Sequence, residues 1–325
     1  MRFPTPTRIA RKTQSAIANL GVHLIARSGI ADGYWRPWRG EFFNNAQKCG
    51  LHILPVHYYS PIPDTRTLKN TPDPLFDQHL SYNTEHAWDT LNAFQSSYRS
   101  KFEEFAQRRA PLDKAFTFHG SPYHPGEAEI LYAMVHANQP KQIIEIGCGY
   151  TTLIIAEALA DARADNPEYS CHYSCVEPYR PDYLSDPPPE VTEFLDAPIQ
   201  SLTPERIARL EPGDILFIDS THVVCAQSDV VHEILRLLPA LKPGVLIHVH
   251  DIFLPFDYPP KWLNESRFFW TEQYLLYAYL LSNSNIEVVL PLHNLYRQDT
   301  EQMNKLFPSM AQASMVPSAF WLRTR

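Results

Sequence analysis

Two short stretches of the chain concentrate side chains that could do chemistry. "FIDSTH" sets Asp219 and His222 three residues apart, and "HVHD" brings His248, His250 and Asp251 into four positions. Each follows an apolar run of the kind that makes a buried strand, so the polar groups fall at a strand's carboxyl end. If the two strands are neighbours, Asp219, His250 and Asp251 meet above one edge. Two carboxylates and an imidazole in a shared cleft repel one another and lose hydration unless a cation sits among them. An imidazole near its ordinary pKa can also take a proton, a role open to His222 and His250. His248 lies inside its strand and reads as a packed, hydrogen-bonded core histidine.

A third stretch, "IIEIGCGYTT" (143–152), runs an apolar strand into two glycines spaced by one residue. Gly147 and Gly149 let the backbone come close to a ligand, and the helix that follows offers unpaired N–H groups. A dinucleotide site would want a third glycine where Thr152 stands, and Glu145 before the turn would repel a pyrophosphate. An anion there suits a ligand bearing an ammonium or sulfonium group. Glu177, in "CVEP" at the end of the next strand, can accept both hydroxyls of a ribose.

These groups need a scaffold that lines up strand ends. From about Pro122 the chain alternates helical and near-continuous apolar segments: 126–138 helix, 141–147 strand, 151–166 helix, 171–178 strand, a short strand at 191–198, a weak helix at 204–210, and strands at 214–220 and 244–252 around a helix at 229–241. A helix at 271–283 and strands at 285–292 and 318–324 follow. Such alternation implies an α/β fold, a doubly wound, mostly parallel Rossmann-like sheet covered on both faces. Ligands of that architecture bind at the carboxyl ends of the strands, where strand order reverses. Residues 1–115 read as an irregular, proline-rich N-terminal extension or cap, partly helical around 89–107, and residues 116–325 as the catalytic domain.

Composition narrows the partners. The 325 residues are 44% hydrophobic and 20% charged, with a net charge of −8, which suits a globular chain with a real core and disfavours nucleic acid as its partner. Five scattered cysteines form no CxxC pair, and no apolar run reaches the length of a membrane span, so a cytoplasmic location is expected. The N-terminus carries Arg2, Arg8, Arg11, Lys12 and Arg27 and no acid before Asp32. It reads as a basic helix or frayed arm packed on the body, with a membrane-surface helix or a targeting peptide as the alternatives.

In this order, "IIEIGCGYTT", "CVEP", "GDILFIDSTH" and "LKPGVLIHVHD" resemble the class I S-adenosylmethionine-dependent methyltransferases, and among them the small-molecule O-methyltransferase group that includes macrocin O-methyltransferase. The resemblance covers about 116–260. It implies S-adenosylmethionine as cofactor, with Gly147 and Gly149 beneath it and Glu177 on its ribose. "DAP" (196–198) would border the adenine through Ala197, and Glu145, Thr151 and Asp219 would complete the site. Metal-dependent members hold a divalent ion at an aspartate after the fourth strand and an acidic pair after the fifth. That implies Asp219, His250 and Asp251 here, with histidine in place of an acid, and leaves open magnesium, a softer ion such as manganese or iron, or no ion.

The expected reaction is O-methylation of a hydroxyl on a small molecule or sugar, with Asp219, His222 and His250 as catalytic groups. Seven aromatics between Phe253 and Trp270 either wall the acceptor pocket or pack the N-terminal part onto the sheet. Tyr123 and Glu127, just before the first strand, could reach cofactor or substrate. Competing expectations are a metal-dependent hydroxylase or a non-catalytic binding protein on the same fold, and, disfavoured by the glycine turn, a nicotinamide oxidoreductase. The oligomeric state is not legible.

Overall fold

The computed structural model describes residues 8–28, 39–69, 73–76, 79–108, 115–118, 121–310 and 316–325, with side chains of the first helix described from residue 15. Arg2 and the side chains of Arg8, Arg11 and Lys12, on which the basic N-terminal reading rested, lie outside the described residues. The chain divides into two compact units, 1–69 and 70–325. The first contains helices α1 (Arg8–Arg27) and α2 (Arg39–Lys48). On α1, Ile17, Leu20 and Leu24 are exposed. No helix among the described residues is long and apolar enough to cross a membrane.

The second unit is built on a seven-stranded sheet in the order β3-β2-β1-β4-β5-β7-β6. Its strands are β1 (Gln142–Ile146), β2 (His172–Val176), β3 (Val191–Leu195), β4 (Ile215–Ile218), β5 (Leu246–Val249), β6 (Ile286–Pro291) and β7 (Phe320–Thr324). The first five run parallel, and β7 runs antiparallel to both β5 and β6. The fold is therefore the expected α/β, mostly parallel, Rossmann-like sheet. Strand order reverses between β1 and β4, which places the ends of those two strands, Gly147 and Asp219, at the switch point.

Successive strand residues point to opposite faces, and both faces are apolar because both are covered. Ile143, Tyr173, Cys175, Phe217, Leu246 and Trp321 join one core, with helices α3 (Thr84–Gln107), α4 (Glu127–Asn138) and α5 (Tyr150–Asp165). Ile144, Val176, Leu216, Ile218, Ile247 and Phe320 join the other. That second core also takes Val230, at the start of a helical run that opens as α-helix α7 (Asp229–His232), after the short α6 (Pro204–Ile207). The run then widens over Glu233–Leu237 and tightens over Leu238–Ala240. Leu276 and Leu280 of α8 (Glu272–Leu280) complete that core.

Helix α3, assigned from sequence to the N-terminal extension, lies in the larger unit, with Leu91, Phe94, Phe102 and Phe105 buried. Two further helices, α9 (Leu292–Gln298) and α10 (Thr300–Leu306), follow β6 almost without a break. Neither carried a sequence signal, because no glycine or proline separates them and both are short.

Candidate functional site

The β1–α5 turn is shaped first by its neighbours. Gly147 has φ 80, and a Cβ there would lie 1.8 Å from the backbone oxygen of Asp219, so only glycine lets the two strand ends pass. The Gly147 N–H donates to the Val176 carbonyl (3.1 Å) and the Asp219 N–H to the Ile146 carbonyl (2.9 Å). The tips of β1, β2 and β4 are thereby locked together. Gly149 is extended, and a Cβ there would meet only the Tyr183 hydroxyl, at 3.3 Å.

Glu145 does not face the ligand space, contrary to the sequence expectation. It is wholly buried on the α5 side of β1. It accepts hydrogen bonds from Thr151 Oγ1 (2.5 Å), Thr152 Oγ1 (2.8 Å), Cys175 Sγ (3.5 Å) and the Tyr173 hydroxyl. Burial pushes its pKa up to about 7 against the pull of those donors. Its position in the strand fixes this direction, since a strand side chain has only two faces to choose from. Glu145 pins the first turn of α5 from beneath.

Above the turn lies a cavity of about 720 Å³. Gly147, Gly149, Thr151, Glu177, Asp219, His250 and Asp251 all contribute to its walls, so one hollow joins the turn to the Asp/His residues. Glu177 sits at the end of β2, with Oε1 accepting from the Tyr179 N–H (2.6 Å). Thr151 contributes while its hydroxyl is committed to Glu145. Ala197, half-buried beyond β3, is not among the walls.

At the other end of the cavity β4 and β5 deliver a compact nest. His222 Nε2 lies 3.3 Å from Asp219 Oδ1 and 3.5 Å from Asp251 Oδ2. His250 Nδ1 lies 3.4 and 3.5 Å from the same two oxygens. The far nitrogens meet other acids, His222 Nδ1 lying 2.8 Å from Glu272 and His250 Nε2 3.3 Å from Glu127. Glu127 also accepts from the backbone N–H groups of Ser318 and Ala319, and Ser318 Oγ donates to Asp251 Oδ1 (2.9 Å).

Both His222 (φ 61) and Asp251 (φ 56) hold left-handed backbone conformations, which non-glycine residues adopt at a cost and mainly where the surroundings impose it. Burial disfavours every charge here; it prevails at Glu272, whose pKa is raised, while mutual attraction outweighs it at Asp219, Asp251, Glu127 and both imidazoles. Asp219 is held well below the ordinary carboxylate range by the positive charge of His250 and by the close approach of both imidazoles. Asp251 and Glu127 are lowered as well, chiefly through His250. Despite burial, His222 and His250 are raised well above the usual imidazole value by the acids around them. Glu233, which accepts from Ser220 Oγ (2.9 Å), is pushed up by burial and then by Glu272.

The nest contains every Asp/His candidate except His248, which is fully buried and stacked on Phe217 at 4.1 Å, as a core histidine should be. Sequence reasoning missed Glu272 and Ser318. A glutamate opening an apolar helix looks like an ordinary solvent-facing N-terminal acid, and Ser318 carries no signal at all. Glu127 was noticed, but its contact is His250 rather than the open cavity. The aromatic segment splits its roles: Phe253 and Tyr258 are buried in packing, while Trp262, Phe268 and Trp270 line the cavity. Phe268 stacks on Trp270 at 4.9 Å, and Trp270 packs on His222 at 4.3 Å.

Among the described residues two groups could hold a metal ion: Asp219, His222 and Asp251, and Glu145, Cys148 and Cys175. The second is a poor candidate, since hydroxyls already occupy Glu145 and burial raises the Cys148 thiol well above its usual value.

Comparison with known proteins bears on the same residues. A search of curated proteins finds no match. A solved structure described as "CmcI-N160 apo-structure" is similar at 14% identity over 78% of this chain and 89% of that one, with a TM-score of 0.34. The family model described as a methyltransferase domain matches residues 144–252. That span runs from β1 to the residue after Asp251, so the part of the chain that supplies the glycine turn, Glu177 and most of the nest is supported as a methyltransferase domain.

Proposed function

We propose that this protein transfers the methyl group of S-adenosylmethionine to a hydroxyl of a small-molecule or sugar acceptor. The observation that carries the reading is that the glycine turn and Glu177 open into the same cavity as Asp219, His250 and Asp251, within the stretch matched as a methyltransferase domain. Gly147, Gly149 and the backbone at Thr151 would lie along the cofactor, and Glu177 would accept its ribose hydroxyls. Ala197 would border the adenine just outside the present walls. Asp219 stands where cofactor and acceptor meet, and Glu145 serves by holding the turn in place.

The nest fits a divalent ion. His250 Nδ1 is buried without a hydrogen-bond partner beside two carboxylates, as expected of a ligand atom. Asp219, His250 and Asp251 would hold the ion, which when bound lowers the pKa of a hydroxyl. Trp262, Phe268 and Trp270 would wall the acceptor and keep water from it. The acceptor oxygen bonds to the methyl carbon as the carbon–sulfur bond breaks, and the electron pair stays on sulfur. The hydroxyl proton passes to His222 Nε2, which lies 3.3 Å from Asp219 Oδ1 and holds no ion in this reading. Rigid alignment of oxygen, methyl and sulfur supplies much of the rate.

Calorimetric titration tests the reading directly. S-adenosylmethionine should bind saturably and NAD should not. Glu177→Ala should weaken that binding by about 10- to 100-fold, the worth of hydrogen bonds to a charged acceptor. With an acceptor identified by screening, Asp219→Asn should lower turnover by about two orders of magnitude. Binding of NAD in place of S-adenosylmethionine would overturn the proposal.

A further inference from the structure

Residues 1–69 differ from the rest of the chain in charge and in what they expose. They carry ten lysines and arginines against three acids, a net of +7, whereas residues 70–325 carry 18 against 33, a net of −15. We infer that this first unit is a membrane-surface module, with helix α1 lying in the headgroup plane of a bilayer rich in anionic lipid. The inference is independent of the methyl-transfer reading.

Three observations carry it. First, no side chain described in residues 1–69 is buried, so the unit shows no apolar core among them. Of the fifteen large apolar side chains exposed among the described residues, nine belong to this unit, which is about a fifth of the chain. Apolar surface concentrated in this way marks a place of contact. Second, Ile17, Leu20 and Leu24 fall at i, i+3 and i+7 on one face of α1 and are 60–66% exposed. Arg8, Arg11, Lys12 and Arg27 belong to the same helix, which holds no acid. An apolar stripe on a basic helix is the pattern of a helix that lies in a membrane interface. No helix among the described residues is apolar enough to cross a bilayer, so α1 would lie on the surface and not span it. Third, Tyr58 and Tyr59 are exposed with ring centroids 4.4 Å apart, and the sequence interleaves Tyr34, Trp35 and Trp38 with Arg36 and Arg39. Aromatic rings with one polar edge settle at headgroup level.

Charge and apolar surface together choose the occupant. Nucleic acid would use the charge and leave the apolar face in water. A second copy would cover that face but bring two +7 units together. An anionic bilayer answers both, each basic side chain near its surface adding to the attraction. The same surface repels the −15 of residues 70–325, which confines the attraction to this unit.

The test co-sediments the full-length protein with vesicles of phosphatidylcholine alone and with vesicles of phosphatidylcholine and phosphatidylserine in equal parts. The anionic vesicles should be bound at least about 10-fold more tightly, and raised salt should erase that preference. Leu20→Asp combined with Leu24→Asp should weaken binding to them at least about 10-fold. Arg11→Glu combined with Lys12→Glu should weaken it as much and remove the difference between the two vesicles. Circular dichroism and melting identify any variant that has failed to fold, in which case the other pair carries the comparison. Equal affinity for the two kinds of vesicle would overturn the inference, as would binding unchanged in the double aspartate variant. So would a duplex DNA oligomer bound as tightly as the anionic vesicles, or a dimer on gel filtration that the same aspartates dissociate. S-adenosylmethionine binding, measured alongside, should be unchanged in every variant, which keeps a failure here distinct from a failure of the methyl-transfer reading.

Discussion

Glu145 shows how much one buried carboxyl can decide. Its acceptor atoms are saturated by two threonines, a tyrosine and a thiol, yet burial still raises its pKa to about 7 from an unfolded value of 4.5. Because the folded state holds the proton more tightly, the stability linked to this group is fully present below about pH 4.5 and is lost as pH rises through about 7. The shift corresponds to about 3 kcal/mol. Glu145→Gln mimics the protonated acid and removes that dependence. The variant should therefore match the wild type at pH 5 and be the more stable of the two at pH 8, as read by urea or thermal unfolding at both values. An equal difference at the two pH values would show that Glu145 does not titrate in this range. The glutamate was visible in the sequence but its direction was not, because a parallel strand buried on both faces has no polar alternation to say which way a residue points.

At the level of elements, the tips of four strands, β1, β2, β4 and β5, make the site. Gly147 and Gly149 look equivalent in the sequence, yet they do different work. Gly147 needs a left-handed φ and lies against the Asp219 carbonyl, while Gly149 is extended, and a methyl group there asks only that the half-exposed Tyr183 hydroxyl give by a few tenths of an ångström. Gly147→Ala should destabilise the chain by at least about 2 kcal/mol and displace Asp219, with loss of the proposed metal and cofactor binding. Gly149→Ala should cost less than about 1 kcal/mol. Equal melting temperatures for the two variants would contradict the close approach of β1 and β4. The strands themselves were legible because their apolar runs are bounded by turn residues. The convergence of β4 and β5 followed from the fold class. Contacts from distant elements, α8 supplying Glu272 and β7 adjoining Ser318, were not legible, since no local pattern records which helix end will be buried against a histidine. The widened helical turn at Glu233–Leu237 was equally silent, although it carries the buried Glu233 to Ser220.

On the scale of the whole molecule, what matters is where the body that carries the sheet begins. The texture of the sequence changes near residue 116, but the compact unit that holds the sheet begins at Asn70 and includes α3. Leu91, Phe94, Phe102 and Phe105 of that helix share a core with Leu131 of α4 and Phe307. Lys101 and Arg108 tie the same segment to α5, Lys101 lying 2.5 Å from Glu157 and 2.8 Å from Asp161, and Arg108 lying 2.6 Å from Glu157. A large buried apolar side chain contributes about 1.5–3 kcal/mol, so losing four of them removes an amount comparable with the whole stability of a domain, about 5–15 kcal/mol. A chain starting at Asn70 should therefore unfold in one cooperative transition. A chain starting at Phe116 should aggregate or melt far lower, because α4 and α5 lose their cover. Thermal unfolding of the two truncations checks this. If the shorter chain melts as high as the longer one, α3 is an appendage and the body begins where the sequence texture changes.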